Sequence, residues 1–160
     1  SHLTGAFNRA YQRGLNTYCT TANGYRLGSE GAAFPNVCTP STYAAFAGAY
    51  HKAKSHFDYI SNLQAQLNDV TSKIKSANDT IARNTDATTA AYNTIAKTRD
   101  TLAHTKKKQN RAQLNANIDN QYDRITQLTR NSRDLQRQIH DLTPTQKHLT
   151  YRLQAAKRHG

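Results

Sequence analysis

The chain of 160 residues contains no tryptophan and no methionine, and Glu30 is its only glutamate. Hydrophobic residues make up only 36% of it, too few for a thick globular core but enough for a narrow seam between two helices. No run of about 18 apolar residues occurs, so no stretch reads as a bilayer span. With one glutamate, the Glu-to-Lys pairs that usually lace a solvated helix are missing. Thr, Asn and Gln fill those positions, and they support an isolated helix weakly. Stability must then come from packing.

Catalytic signatures are also missing. There is no nucleophile elbow, no Cys-x-x-Cys, no phosphate loop and no paired glutamates. Two cysteines alone cannot make a four-ligand zinc site. Of the seven histidines, His51 and His56 would lie about 140° apart around a helix, and His140 and His148 about 12 Å apart along one, so neither pair shares a metal. A cross-arm pair of His51 with His159, near the open end, is the remaining metal option. The expectation is a protein without enzymatic activity and without a cofactor.

Between Ala53 and Ala156 the apolar residues recur by threes and fours. Ala53, Phe57, Ile60, Leu63, Leu67, Val70, Ile74, Ala77, Ile81, Ala91, Ile95 and Leu102 form one seam, with polar interruptions at Asn84, Thr88 and Thr98. Leu114, Ile118, Gln121, Ile125, Leu128, Ser132, Leu135, Ile139, Leu142, Gln146, Leu149, Leu153 and Ala156 form a second. Such spacing places each set on one helix face. The sets match in mirror order if the chain reverses near Thr105. Val70 then faces Ile139, Ile74 faces Leu135, Ala91 faces Ile118 and Ile95 faces Leu114. The expected fold is all-α: a long antiparallel coiled-coil helical hairpin over 41–160, with its turn at 104–110 and a small N-terminal head over 1–40. The rival is one unbroken helix pairing with other copies in a parallel coiled coil. Polar layers such as Asn84 and Ser132 also leave room for a homo-oligomer or larger assembly.

The second seam contains Thr143-Pro144-Thr145-Gln146, which reads as a fresh helix start, so a kink or brief break is expected at 142–145. Thr39-Pro40 reads as the start of the first long helix. Tyr43, Phe46, Tyr50 and Phe57 make its base aromatic and suit it to docking the head.

In the head, Leu3, Phe7, Ala10, Tyr11, Leu15 and Tyr18 recur at helical spacing. Asn23-Gly24, Gly28 and Gly31 read as a glycine-rich loop, with Tyr25, Leu27, Phe34 and Val37 as anchors that fold it onto the first helix. Cys19 and Cys38 bracket the loop. A disulfide there would contribute about 3 kcal/mol by constraining the unfolded chain and implies an oxidising compartment. Two buried thiols in a reducing compartment are the alternative.

Gly14-Leu15, Tyr18-Cys19-Thr20, Gly24, Gly28, Gly31, Val37-Cys38 and Pro40, followed by Phe46 and Tyr50, together resemble the signature of a family of bacterial envelope lipoproteins, domain of unknown function 2799. The resemblance covers about residues 7–50. It implies a periplasmic protein tethered to a membrane through a lipidated cysteine upstream of this chain, with no established activity to carry over. Phe34-Pro35-Asn36 departs from the family's usual Tyr-x-Gly.

The charge is lopsided: 22 Lys and Arg against 10 acidic residues give a net charge of +12. Lys97, Arg99, Lys106, Lys107, Lys108 and Arg111 cluster at the expected turn with only Asp100 among them. A hairpin tip about 75 Å from its base would then be strongly positive, suited to an acidic envelope protein or an anionic membrane or polymer surface. A basic helical nucleic-acid-binding protein is the alternative function. Against it stand the lack of a groove-reading motif and the compartment a disulfide implies.

Overall fold

The computed structural model describes residues 2–159. It is helical throughout, with α1 (His2–Tyr18), α2 (Thr21–Ser29), α3 (Pro40–Ala103) and α4 (Lys108–Arg158) in order. The chain divides into two compact units: Ser1–Leu67 with Leu149–Gly160, and Asn68–His148. Both long helices therefore contribute to each unit.

In the first unit the expected glycine-rich loop is instead α2. Thr20 caps it, accepting the amide of Asn23 at 3.2 Å, and the Asn23 side chain donates back to the Tyr18 carbonyl at 2.9 Å. Glycine is a poor helix former, so tertiary packing must compensate. Gly24 and Gly28 are four residues apart and share one face of α2. A Cβ on Gly24 would stand 2.4 Å from the Phe46 carbonyl oxygen, and one on Gly28 would stand 2.3 Å from that of Tyr50. The two backbones meet at a distance only hydrogen side chains permit. Gly28→Ala is therefore expected to cost about 1–3 kcal/mol of unfolding free energy through overpacking. Gly14→Ala, where nothing lies within 4 Å, should cost nothing; denaturant titration of the two variants checks the contrast.

Gly31 then takes a positive φ of 72° under the Phe57 ring and ends the turn after α2. Phe34 folds not onto α1 but onto α3, its ring 5.8 Å from Phe46, 5.0 Å from Tyr50 and 5.4 Å from His51. Tyr50 donates its hydroxyl to the Ala32 carbonyl at 2.6 Å. Cys19 and Cys38 are joined in a disulfide with their Cα atoms 5.7 Å apart, tying the exit of α1 to the entry of α3. The aromatic base does receive the head, through α2, Phe34 and Tyr18 at the end of α1. Most of α1's apolar face is left uncovered: Leu3 is 88%, Phe7 67% and Tyr11 51% exposed. The anchors expected to cover it, Tyr25 and Val37, are themselves exposed. Leu149, Leu153 and Ala156 of α4 are buried in this unit, as are Ala53 and Leu63 of α3. Arg152 reaches Tyr59, donating to its hydroxyl at 3.0 Å with its guanidinium over the ring.

In the second unit the apolar stripes of α3 and α4 meet. Ala91, Ile95, Ile118 and Ile125 form its buried cluster, with Leu102 packed against them. Every seam position named above, in either unit, is buried or half-buried. Polar residues within the seams bond across it. Asn84 donates to Asn131 at 2.8 Å and to Ser132 at 3.0 Å, and Gln146 donates to Thr71 at 3.1 Å. Many helix threonines, such as Thr88, Thr98 and Thr129, return their hydroxyl to the carbonyl four residues back, so a Thr-rich surface needs no outside partner for them. Ion pairs such as Lys73–Asp69 and Lys75–Asp79 are local and solvated.

Two boundaries differ from expectation. α4 begins at Lys108, so the link between the long helices is 104–107 rather than 104–110. α4 also runs unbroken through Pro144. The ring removes only the bond to the carbonyl of His140, an exposed residue whose oxygen can turn to water. The Thr143 hydroxyl meanwhile bonds the Ile139 carbonyl at 2.7 Å.

Candidate functional site

The short link between α3 and α4 carries the densest positive charge. α3 closes with the amides of His104 and Thr105 bonding the carbonyls of Thr101 and Leu102, both at 3.2 Å. A helix end leaves several carbonyls without intrahelical donors. Arg111, from the first turn of α4, serves one of them and one carbonyl of the link: its Nη1 donates to the Leu102 carbonyl at 2.9 Å and to that of Thr105 at 3.0 Å. Arg99 reaches across to α4, donating to the Tyr122 hydroxyl at 2.7 Å with its guanidinium 5.7 Å from the ring centre.

The six cations expected to form a binding tip therefore divide by chemistry. Arg99 and Arg111 are spent on the fold, because a planar fork of donors matches paired carbonyl and phenol acceptors close by. Lys97, Lys106, Lys107 and Lys108 are exposed, and none of the ion pairs of the described residues involves them. Three lysines in succession thus stand where the link passes into α4, with Arg111 holding the link's carbonyls and Arg99 joining α3 to α4 nearby.

A second basic surface escaped the sequence reading. Arg130, Arg133, Arg137 and His140 line one shallow groove along α4, with Arg137 bonded to Asp134. Their spacing of three, four and three was the available signal. Of the histidine pair His51 with His159, His51 stacks on Phe34, while His159 lines a cavity beside His56. Among the described residues no group of three His, Cys, Asp or Glu stands close enough to hold a metal, and no helix is long and apolar enough to cross a membrane.

Residues 2–55 match the model of a family described as protein of unknown function (DUF2799). The match takes in α1, α2, the disulfide and the opening of α3, which contains the signature residues noted above. No curated protein and no solved structure matches the chain.

Proposed function

We propose that the protein is a non-enzymatic structural or adaptor component of the bacterial cell envelope. In this reading α3 and α4 form an antiparallel coiled-coil hairpin that works as a spacer, and its lysine-bearing turn binds an anionic partner. The partner is an acidic envelope protein or an anionic membrane or polymer surface. The setting is periplasmic, with attachment to a membrane through a lipidated N-terminus outside this sequence; the disulfide and the family resemblance support it. The observation that carries the proposal is the unpaired run Lys106-Lys107-Lys108 beside two arginines already engaged. A link braced in this way presents its charge without first having to order itself, which lowers the entropic cost of binding.

The test is sedimentation with vesicles containing an anionic lipid, at low and moderate salt. A basic residue near such a surface contributes about 1 kcal/mol, so K106Q/K107Q/K108Q should weaken binding about a hundredfold, and added salt should weaken the unmodified chain. Equal binding by both chains would remove the tip from the proposal.

A second reading, a basic helical nucleic-acid binder, draws its support from the arginine row on α4. Nanomolar duplex affinity that falls steeply with salt and disappears in R130Q/R133Q/R137Q would favour it over the spacer.

A further inference from the structure

α1 is a 17-residue helix that packs little against the rest of the first unit. Between Leu3 and Tyr18 every residue except Gly5 and Leu15 is exposed. A helix of that length carrying Gly5 and Gly14 is marginal alone in water, yet its apolar residues keep to one side. At 100° per residue Leu3, Phe7, Tyr11 and Tyr18 fall within about 80° of one another, and the Phe7 and Tyr11 rings stack with centroids 6.2 Å apart. The stripe widens at its C-terminal half. Pro35 and Val37 line a shallow cleft with Tyr11, Leu15 and Tyr18, beside the Cys19–Cys38 bond.

The charge on this helix has one sign. Arg9 and Arg13 are one turn apart and turned away from the stripe, and neither takes part in the ion pairs of the described residues. The first acidic residue of the sequence is Glu30, which Arg26 already pairs. Such a face is poorly suited to a second copy. A stripe about 25 Å long and 10 Å wide, doubled on itself, buries on the order of 500 Å², under half of the roughly 1,200 Å² of a stable interface. It also brings together two chains of net charge +12. A helix-binding groove takes a narrow ridge, whereas Pro35 and Val37 broaden this one. A bilayer surface sets no such minimum area, seats tyrosine rings at headgroup level and, when anionic, attracts arginine. A helix is about 10 Å across, so both guanidinium groups remain within about one Debye length of the headgroups.

We propose that α1 is an interfacial helix that lies flat on an anionic lipid surface. Leu3, Phe7 and Tyr11 enter the upper acyl layer, and Arg9 and Arg13 are held by headgroup phosphates. The helix meets the surface without spanning it, in keeping with the lack of any described helix apolar enough to cross. The contact belongs to the first unit and does not depend on the lysine turn.

The chain has no tryptophan, so Phe7→Trp places a sole indole in the stripe, and its emission reports α1 alone. The probe is vesicles of phosphatidylcholine mixed with phosphatidylglycerol. Emission should shift to the blue on saturating lipid and be quenched by lipids brominated high on the acyl chain. In the same background Leu3→Gln should weaken binding about tenfold by removing an inserted apolar side chain. R9Q/R13Q should weaken it about tenfold or more on the mixed vesicles. Both changes fall on exposed residues and spare the fold. K106Q/K107Q/K108Q should show the same shift and quenching at saturating lipid, whether or not the turn also binds. An indole that stays in water on saturating vesicles would overturn the proposal and leave the face to a protein groove. Full affinity in both Leu3→Gln and R9Q/R13Q, or quenching lost in the triple-lysine variant, would overturn it too. So would a blue shift that grows with protein concentration without lipid alongside a dimer mass by sedimentation, which would assign the face to a second copy.

Discussion

Phe46→Ala should lower the unfolding free energy by about 3–5 kcal/mol, the range for deleting a fully enclosed aromatic side chain. Phe46 is 0% exposed and lies where three elements converge. Its ring stands 6.0 Å from Tyr18 and 5.8 Å from Phe34, while its carbonyl oxygen underlies Gly24. Removing it opens a void that the stiff crossing of α2 over α3 is poorly able to collapse into. Urea titration followed by near-ultraviolet circular dichroism reports the loss, since the tyrosines around the ring give the signal. A cost below 1 kcal/mol would mean that this aromatic cluster does not hold the first unit together.

Removing the disulfide should have the next largest effect. Cys19 and Cys38 are 19 positions apart, and a crosslink closing a loop of that order contributes about 3 kcal/mol through the entropy of the unfolded chain. C19S/C38S should melt well below the unmodified protein. A reducing agent should lower the melting temperature of the unmodified protein toward that of the variant and leave the variant where it is. The same melting temperature with and without reductant would show that the bond contributes little.

The two seams were legible because a repeat of threes and fours is local information, and burial at Ala53, Leu63, Ala91, Ile95, Ile118 and Leu153 follows it. Nothing in the first seam alone said what would cover it; only the order of large and small residues in the second did. α2 was not legible. Propensity counts Gly24 and Gly28 against a helix, and the decisive term, backbone contact with Phe46 and Tyr50, is tertiary. Their spacing of four was the available clue. At Pro144 the helix does not break, because the cost of the proline depends on whether the freed carbonyl can reach water, which periodicity does not state. At the turn, the lysines were read from charge alone. The roles of Arg99 and Arg111 depend on carbonyls and a phenol that become neighbours only after the chain has turned back.

The cross-helix amide of Asn84 has a consequence for where the chain turns. Slide α4 by seven residues one way and Asn131 and Ser132 give way opposite Asn84 to Arg124 and Ile125, which offer no acceptor; slide it the other way and only Gln138 offers one. One side-chain carboxamide, some twenty residues from the link, thereby works as a notch that favours one offset of the two helices. The place at which the lysines emerge is fixed by that notch as much as by the residues of the bend itself.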